Sequence, residues 1–383
     1  WTIIQITLST NILKSVLDLA SKYVAKNSTL PVLQHVYIKA NVDTVLFRAT
    51  DMEKYIDIEV PATIDMPGTL SVDAKTLTEY VKSLDDEMVT MVIDMSKNII
   101  TLKTVSDTIK IKGLSGSEYV GIPELKGVSH NVSALGLLKG FNKVDYAIQE
   151  KTFVPVLQGV SIKTKEYDGL KKFSFAGSDS LRLADYKVNY DGDLENLQVI
   201  IPKNNITELK RGLEWYLSLG GVDVSLVMSN NLIGLEMRTQ DIYIKLVSLL
   251  ITGNFPDYEN ENVMPTKFET TVLVNKSDIE KAIRKVNILT RDTNHFVILD
   301  IKEDSIICDT WSQIDMWEAQ SSIPAEVTGP GLKIGLNGKH ILDIIRVIES
   351  DKLQLNFISN DKPIIVKDID DPNFTYVCKP INL

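Results

Sequence analysis

The chain has 383 residues, of which 44% are hydrophobic, and its formal net charge at pH 7 is −10. This length predicts roughly two to four domains of about 100–200 residues each, and no apolar run approaches the ~18 residues of a membrane span. We therefore expect neither a membrane segment nor a signal peptide. The two cysteines, Cys308 and Cys378, form no C-x-x-C pair, which favours a reducing, cytoplasmic setting.

The predicted elements follow one order that recurs along the chain. The first is an amphipathic helix with Ser9 or Thr10 as its N-cap, and strands of alternating hydrophobicity and a second helix come after it. The six predicted helices cover about 9–26, 73–84, 132–150, 203–217, 275–290 and 338–349. The strands predicted for the first unit include 36–39, 56–60, 88–95, 98–104 and 107–113. Each unit is therefore of α+β class, with two helices on a mostly antiparallel sheet.

A repeated motif supports three units of one design. Pro31-Val32-Leu33-Gln34-His35-Val36 recurs as Pro155-Val156-Leu157-Gln158-Gly159-Val160, 124 positions later. An Asp follows each motif, at Asp51 and Asp179, and a weaker third copy places Asp309, with spacings of 128 and 130. We predict domains at 1–127, 128–262 and 263–383. A repeat of whole domains favours a shape such as an arc or ring over a catalytic cleft.

Charge is distributed unevenly between the helices and the rest of the chain. Summed over 9–26, 73–84, 132–151, 202–217, 275–291 and 337–350, the predicted helices carry a net +7 and the remainder −17. A mildly basic helix layer on an acidic body is suited to face a polyanion. The alternative interpretation is that these Lys and Arg side chains only solvate exposed helix faces.

The sequence contains no motif for catalysis, metal binding or nucleotide binding, and we expect no cofactor. The four histidines are scattered, at His35, His130, His295 and His340. The repeated Asp51, Asp179 and Asp309 are interpreted as turn or strand-end residues, with carboxylate catalysis as the alternative. Trp311 and Trp317 are either packing residues or a stacking platform for bases.

Several segments together resemble one known family. They are the Pro-Val-Leu-x-x-Val motif, Ser-Asp-Ser-Leu-Arg-Leu-Ala at 178–184, Gly-Asn-Phe-Pro-Asp-Tyr at 253–258 and the Lys-Pro-Ile-Asn-Leu tail at 379–383. In this order, and over the whole chain, they resemble the bacterial DNA polymerase III beta subunit, the sliding clamp family. The resemblance implies three clamp domains per chain and a head-to-tail homodimer that closes a ring around double-stranded DNA.

The resemblance also implies which surfaces do the work. The helices would line the hole, with these DNA-facing residues: Lys14, Lys22, Lys26, Lys82, Lys139, Lys143, Lys203, Lys210, Arg211, Lys276, Lys281, Arg284, Lys285, Lys339 and Arg346. The dimer interface would include Ile109 and Ile111 in domain 1, and the region of Ile288 and Leu289 in domain 3. Basic helices would touch phosphates without reading sequence, which allows sliding.

An apolar groove of the family receives a short peptide from its partners. The residues that match it here are Leu157, Ser178, Ser180, Leu181, Arg182, Leu183, Pro256, Val263, Phe296, Asn337, His340, Pro363, Val377, Lys379, Pro380 and Ile381. Such a pocket suits Leu and Phe side chains of an extended peptide. Arg182 either hydrogen-bonds the peptide backbone or only orients its own loop, and Leu157, Leu183 and Val377 have plain core packing as their alternative role.

The resulting prediction is a non-catalytic processivity factor. Its expected partners are double-stranded DNA, a second copy of the chain, the DNA polymerase III alpha subunit, a clamp loader ATPase, other polymerases and mismatch-repair proteins. Two other classes stay open. One is an acidic cytosolic enzyme of duplicated domains that uses Asp179 or Asp309, and the other is a scaffold that binds peptides but not DNA.

Overall fold

The structure is a computed structural model that describes residues 2–149, 151–310 and 318–383. By its internal contacts the chain forms two compact units. The first comprises residues 1–138, 192–194 and 204–251, and the second comprises 139–191, 195–203 and 252–383. Within the described residues, no helix is both long and apolar enough to cross a membrane.

The elements fall into three repeats. The first contains β1 (Ile3–Ser9), α1 (Thr10–Ala20), β2 (His35–Ala40), β3 (Thr44–Thr50), β4 (Lys54–Pro61), β5 (Thr63–Ile64), β6 (Gly68–Asp73), α2 (Ala74–Lys82), β7 (Met88–Asp94), β8 (Ile99–Lys103), β9 (Thr108–Lys112) and β10 (Leu114–Ser115). The second contains β11 (Ser129–Ser133), α3 (Ala134–Val144), β12 (Gly159–Tyr167), β13 (Leu170–Ser178), β14 (Arg182–Asn189), β15 (Gln198–Pro202), α4 (Lys203–Ser218), β16 (Asp223–Ser229), β17 (Leu232–Arg238) and β18 (Tyr243–Leu249). The third contains β19 (Thr270–Asn275), α5 (Lys276–Leu289), β20 (Phe296–Ile301), β21 (Ser305–Asp309), β22 (Gln320–Pro324), β23 (Glu326–Thr328), β24 (Leu332–Asn337), α6 (Gly338–Ile345), β25 (Lys352–Phe357), β26 (Ile364–Asp368) and β27 (Asp371–Cys378).

The six predicted helices are confirmed, although several are shorter than their patterns suggested. The hydroxyl of Ser9 accepts a hydrogen bond from the Ile12 N–H at 3.4 Å, and Ser133 accepts one from the Gly136 N–H at 3.0 Å. These bonds satisfy N–H groups that the first turn of a helix leaves unpaired. Helix α1 ends at Ala20 rather than near 26, since the chain turns there and buries Tyr23 instead.

The first of the two compact units contains two antiparallel sheets. One has five strands in the order β5-β1-β7-β8-β9. The other has nine, in the order β10-β6-β2-β3-β4-β18-β17-β16-β11. In the nine-stranded sheet, β4 of the first repeat pairs with β18 of the second, so one hydrogen-bonded sheet crosses the boundary between repeats. We name this pairing the first junction.

The second unit is built in the same way. Its nine-stranded sheet has the order β15-β12-β13-β14-β27-β26-β25-β19-β23, and its four-stranded sheet has the order β22-β21-β20-β24. Here β14 of the second repeat pairs with β27 of the third, which we name the second junction. The junctions are equivalent, because each joins the last strand of one repeat to the strand of the preceding repeat that follows its tight turn, which is β4 after β3 and β14 after β13.

Strand registers align the three repeats residue by residue. The pairs that precede the second helix of each repeat are His35↔Asp73, Gly159↔Pro202 and Phe296↔Asn337. Two residues further on, the equivalent pairs are Tyr37↔Arg48, Ser161↔Ala176 and Ile298↔Asp309. Asp309 is therefore equivalent to Arg48 and Ala176, and its prediction as the third copy of Asp51 and Asp179 is wrong.

The cause of this error is that connections before Asp309 differ in length between the repeats. The hairpin of β20 and β21 is shorter than the hairpin of β12 and β13, so the distance between equivalent positions of the second and third repeats changes along the chain. A spacing count alone therefore selected an Asp that lies inside a strand. The equivalent position is 312, which lies outside the described residues, as do Trp311 and Trp317.

Candidate functional site

A tight loop between β13 and β14 begins the candidate site. One carboxylate oxygen of Asp179 accepts hydrogen bonds from the N–H groups of Leu181 and Arg182, both at 3.0 Å. The Ser178 hydroxyl donates to the Arg182 carbonyl at 2.7 Å. Ser180 has a φ of 76°, a left-handed conformation that is costly for a residue other than glycine. The Asp179 carboxylate and its neighbours hold the chain in this conformation.

The first repeat builds the same loop from different residues. Asp51 accepts hydrogen bonds from the N–H groups of Glu53 and Lys54 at 2.9 Å. Thr50 donates to the Lys54 carbonyl at 2.8 Å, and Met52 also has a φ of 76°. Both carboxylates are used by their turns, which confirms that Asp51 and Asp179 are turn residues.

An apolar cavity of about 250 Å³ opens beside the loop of the second repeat. Ten predicted groove residues line it: Leu157, Ser178, Ser180, Leu181, Arg182, Leu183, Pro256, Val263, Val377 and Lys379. Leu157, Leu183 and Val377 are almost fully buried, whereas Leu181 is 56% exposed at the mouth. A concave apolar site with few polar groups is typical of sites that capture apolar side chains. We name this cavity the second-junction groove.

Three lining residues were missed by the sequence reasoning. Phe255, Asp257 and Tyr258 form part of the wall, and Phe255 and Tyr258 are 7% and 4% exposed. They belong to the Gly-Asn-Phe-Pro-Asp-Tyr segment, which was used only as a family signature. Two aromatic residues that are three positions apart and flank a proline could have indicated this part of the wall from the sequence alone.

Two carboxylates, one buried and one half-buried, fix this wall in place. The hydroxyl of Tyr258 donates to Asp185 at 2.8 Å, and Asp185 is fully buried. The next residue, Glu259, is bonded by Lys163, by Tyr167 at 2.8 Å and by Lys165 at 3.0 Å. Burial opposes ionisation of Glu259, but these bonds outweigh it and lower its pKa to about 2. The segment is therefore held to the β-sheet by charge-assisted hydrogen bonds.

The side chain of Arg182 is used inside the protein. Its guanidinium donates to Asp179 at 3.1 Å, to Asp343 at 2.7 Å and to the Tyr146 carbonyl at 3.0 Å. Arg182 is 9% exposed. From sequence, Arg182 could either hydrogen-bond a peptide backbone or orient its own loop. This geometry supports the second role, because the guanidinium N–H groups already have partners within the protein. Two carboxylates also balance its charge beneath the groove.

Six predicted groove residues do not line this cavity: Phe296, Asn337, His340, Pro363, Pro380 and Ile381. The Ile381 N–H donates to the Gly335 carbonyl at 2.8 Å, and a Cβ on Gly335 would lie 2.6 Å from the Phe296 ring. Phe296 and Ile381 therefore meet at Gly335. Asn337 caps helix α6 by accepting a hydrogen bond from the Lys339 N–H at 2.9 Å.

His340 lies beneath the loop as a neutral imidazole. It is 8% exposed, and its Nε2 lies 3.9 Å from Asp179. Burial, together with the Arg182 charge, lowers the pKa of His340 to about 4, although Asp179 and Asp343 act in the opposite direction. At neutral pH the imidazole is therefore uncharged, and it serves as a packing residue.

The predicted DNA-facing residues differ in how far they reach solvent. Nine are exposed: Lys22, Lys26, Lys82, Arg211, Lys281, Arg284, Lys285, Lys339 and Arg346. Five are half-buried: Lys14, Lys139, Lys203, Lys210 and Lys276. The expectation for Lys143 is wrong, because this residue is 3% exposed and its ammonium group bonds the Val347 carbonyl and, at 3.2 Å, Glu349. A buried ammonium requires such partners.

The predicted interface residues lie on an edge strand and at a helix end. Strand β9 is an outer strand of the five-stranded sheet, as predicted for an interface. Ile109 is half-buried, but Ile111 is only 9% exposed and already packs within its own repeat. Ile288 and Leu289, at the end of α5, are 58% and 40% exposed. The described residues contain no cluster of side chains suited to a metal ion.

The sequence matches models of one protein family along almost its whole length. Models of the DNA polymerase III beta subunit match in three parts: the N-terminal domain at 4–123, the central domain at 132–257 and the C-terminal domain at 261–382. A beta sliding clamp from Synechocystis sp. is 26% identical over 394 residues, which is 97% of both chains. The beta sliding clamp of Bacillus subtilis is 24% identical over 373 residues, 94% of both.

Solved structures show the same fold. The beta sliding clamp of C. crescentus, in a crystal structure with bound polyethylene glycol, has a TM-score of 0.91 at 24% identity, and the match covers 100% of this chain and 99% of that one. A sliding clamp from Bartonella birtlesii bound to griselimycin has a TM-score of 0.89 at 22% identity, with 100% of both chains covered.

The lowered pKa of His340 predicts a pH dependence of stability. Between pH 6.5 and about 4 the unfolded chain binds a proton that the folded chain excludes, so stability is lost as pH falls below about 6.5. We expect His340→Gln to lose less stability than the parent between pH 7.5 and pH 5, measured by urea unfolding. Equal losses in both proteins would contradict the burial of a neutral His340.

Proposed function

This chain belongs to the DNA polymerase III beta subunit family, and we propose that it forms a head-to-tail homodimeric ring that encircles duplex DNA. Such a ring is a processivity factor: it has no catalytic role and tethers a polymerase to its template. The alternative of a duplicated-domain enzyme gains no support, because Asp179 is used by its turn and Asp309 lies within a strand. The replicative role implies a cytoplasmic location.

The proposal rests on the way that neighbouring repeats share one sheet. At the first junction five strands of the first repeat meet four of the second, and at the second junction four strands of the second repeat meet five of the third. The remaining sheets have five strands, from the first repeat, and four, from the third. Pairing them between two copies of the chain produces a third nine-stranded sheet. Unpaired edge strands favour such pairing, and a heterologous contact of this kind can close a ring.

The repeats also predict which strands meet. Strand β18 pairs with β4, and β27 pairs with β14. The equivalent of β18 and β27 in the first repeat is β9, and the equivalent of β4 and β14 in the third is β22. We therefore propose that β9 of one copy pairs with β22 of the other.

Register follows from the same equivalence. Ile109 of β9, Leu246 of β18 and Tyr376 of β27 are equivalent positions. This follows from their pairing with the preceding strands, in Leu102↔Ile109, Leu235↔Leu246 and Val366↔Tyr376. Leu246 pairs with Ile56, and Tyr376 pairs with Ala184. Because Asp309↔Gln320 corresponds to Arg48↔Asp57, Ile109 would lie opposite Ala319 and Thr108 opposite Gln320. Leu246 and Tyr376 are fully buried, which is the state that half-buried Ile109 would reach in a dimer.

A cysteine pair tests this register. Residues directly opposite in an antiparallel ladder have Cα atoms about 4.5–5.5 Å apart, within the range of about 4.4–6.8 Å for disulfides. We expect Thr108→Cys with Gln320→Cys to give a covalent dimer under mild oxidation, measured by non-reducing electrophoresis. Cys308 and Cys378 are buried and should react little.

The matched control shifts one cysteine by two positions. In Thr108→Cys with Ser322→Cys, the Cα atoms would be about 7–8 Å apart, beyond the usual disulfide range. Equal cross-linking of the two pairs would reject the register. A protein that stays monomeric by light scattering in the absence of oxidant, at concentrations where its relatives' rings would persist, would count against the dimer itself.

We further propose that the second-junction groove holds short peptides from partner proteins. Its depth and its buried Leu157, Leu183 and Val377 suit a Leu or Phe side chain, while exposed Leu181 can cover the peptide at the mouth. The proposed partners are the polymerase III alpha subunit, the clamp loader ATPase, other polymerases and mismatch-repair proteins.

Substitution of Leu183 tests the groove. We expect Leu183→Asp to weaken binding of a Gln-Leu-x-Leu-Phe peptide at least about 100-fold, because an unpaired carboxylate in an apolar site costs more than about 3 kcal/mol. Calorimetry measures the loss. The control is Leu170→Asp, at a leucine that is 57% exposed and does not line the groove. If both variants bind as the parent does, the peptide site lies elsewhere.

Retention on DNA tests the ring. With a clamp loader and ATP supplied, we expect the protein to stay on nicked circular DNA and to run off once the circle is cut, since enclosure rather than affinity retains it. Gel filtration of the protein–DNA mixture measures the retained fraction. Equal loss from circular and linear DNA would favour a peptide-binding scaffold that does not enclose DNA.

A further inference from the structure

Helix α6 of the third repeat supplies a carboxylate that lies beneath the second-junction groove. Asp343 of this helix accepts a hydrogen bond from the Arg182 guanidinium at 2.7 Å, and the two side chains are only 11% and 8% exposed. Arg182 begins β14 of the second repeat and lines the groove, whereas Asp343 does not line it. The pair therefore joins a loop of one repeat to a helix of the next.

Two carboxylates share the guanidinium of Arg182. Its Nε atom donates to Oδ2 of Asp179 at 3.1 Å, while Oδ1 of Asp179 accepts the two N–H groups that close the turn. One of its terminal nitrogens donates to Asp343. Arginine suits this arrangement, because its planar donors can bond two acceptors at fixed angles. Asp343 therefore completes the set of acceptors without using the oxygen that Asp179 needs for its turn.

The first junction has the same positions without this link. The register that aligns the ends of β15 and β24 makes Glu208 of α4 the equivalent of Asp343. Lys54 stands in the place of Arg182, and its ammonium group bonds Asp51 of its own turn at 2.5 Å. Within the described residues, Glu208 has no ion pair with Lys54, and its ion pair is with an arginine of its own helix. The common fold of the repeats therefore does not require a link between this helix and this turn.

Loss of the Asp343 charge would change the position of Arg182. Removing one partner of a buried ion pair leaves the other charge uncompensated. With Asp179 as its remaining carboxylate, the guanidinium would turn toward water and pull on the turn that Asp179 closes. Either movement displaces the loop that carries Leu181 and Leu183, which are the two leucines of this loop that line the groove.

We propose that Asp343 is a positioning residue for the second-junction groove: it fixes Arg182 and, through it, the loop at the mouth of the groove. The inference rests on the proposed peptide binding by this groove. It adds a side chain of the third repeat that lies outside the cavity and acts on a loop of the second. Peptide affinity therefore depends on a contact between the two repeats that the peptide itself does not touch.

Substitutions at the two equivalent carboxylates test the inference. Asp343→Asn keeps the size of the side chain and removes its charge, and Glu208→Gln makes the same change at the first junction as the matched control. The probe is a fluorescent Gln-Leu-x-Leu-Phe peptide, whose dissociation constant is measured by polarisation. We expect Asp343→Asn to weaken binding at least about fivefold and Glu208→Gln to stay within about twofold of the parent, because only the first change frees the guanidinium.

A double-mutant cycle separates positioning from a general loss of stability. Arg182→Lys gives the second junction the cation that the first junction has, and Lys54 shows that the turn forms with it. A lysine presents one charge on a flexible stem and lacks the fork that bonds both carboxylates. We expect Arg182→Lys to weaken peptide binding as well, and Asp343→Asn to cause no further loss in that background, because coupled residues are not additive.

Hydrogen exchange of the peptide-free proteins gives a second readout. We expect faster exchange at residues 179–183 in Asp343→Asn, and no change there in Glu208→Gln, because the proposed effect is confined to one loop. Unchanged affinity or unchanged exchange in Asp343→Asn would overturn the inference. An equal loss of affinity in Glu208→Gln, or an additive loss in the Arg182→Lys background, would overturn it too. Failure of the unmodified protein to bind the peptide would instead reject the proposed function.

Circular dichroism melting establishes that each variant is folded before its binding is compared. If Asp343→Asn does not fold, Arg182→Lys decides in its place, because it breaks the same pair and has a folded counterpart in the first repeat. Peptide affinity of Arg182→Lys equal to that of the parent would then overturn the inference.

Discussion

The backbone hydrogen bonds that cross from one repeat to the next are the constraint on which the rest of the structure depends. An edge strand presents a row of unpaired N–H and C=O groups, and β9, β18 and β27 are equivalent strands that each present such an edge to a neighbouring repeat. The pairing of β18 with β4, and of β27 with β14, satisfies those groups within the chain. In the described part of the chain, strand β9 pairs only with β8 and strand β22 only with β21, so each keeps one unpaired outer edge. Closure between two copies is the remaining solution.

One backbone plan supports different chemistry at equivalent positions. Val247 of the first junction and Val377 of the second correspond to Lys110 on the edge strand of the first repeat. Val247 packs in a buried cluster with Tyr55 and Leu232, and Val377 lines the second-junction groove, whereas Lys110 is exposed. A boundary between two copies that has a lysine in this place cannot form the same apolar pocket. The backbone plan is therefore shared between the repeats, while the side chains at the second junction form an open apolar groove.

Much of the fold could be predicted from sequence because it depends on local patterns. Helical spacing of apolar residues located the six helices, and alternation located strands such as β7, β8 and β9. The loops of Asp51 and Asp179 were interpreted correctly because a short side chain that bonds the next N–H groups is a local device. Asp309 was misplaced since the connections before it differ in length from those of the second repeat, and position counts cannot detect such changes.

The candidate site was predicted less completely, because cavities depend on residues distant in sequence. Motif matching found the loop residues and Val377, but it missed Tyr258, which bonds buried Asp185, and Phe255, whose ring contacts that of Tyr258. Lys143 was misjudged for the same reason. Its place on a helix suggested exposure, yet its ammonium group turns inward to the Val347 carbonyl. Side-chain direction is set by tertiary partners, which a helical pattern does not contain.

Charge placement explains how a ring can hold DNA without binding it tightly. Several basic residues on the helices are already paired, as in Lys82 with Asp18 at 2.6 Å and Arg284 with Glu280 at 2.6 Å. Such exposed pairs reduce the charge available to phosphates, and salt screens the remainder over about 10 Å. With a net charge of −10, the chain as a whole repels DNA. Weak attraction confined to the helices permits movement along the duplex, so persistence must come from closure of the sheets rather than from affinity.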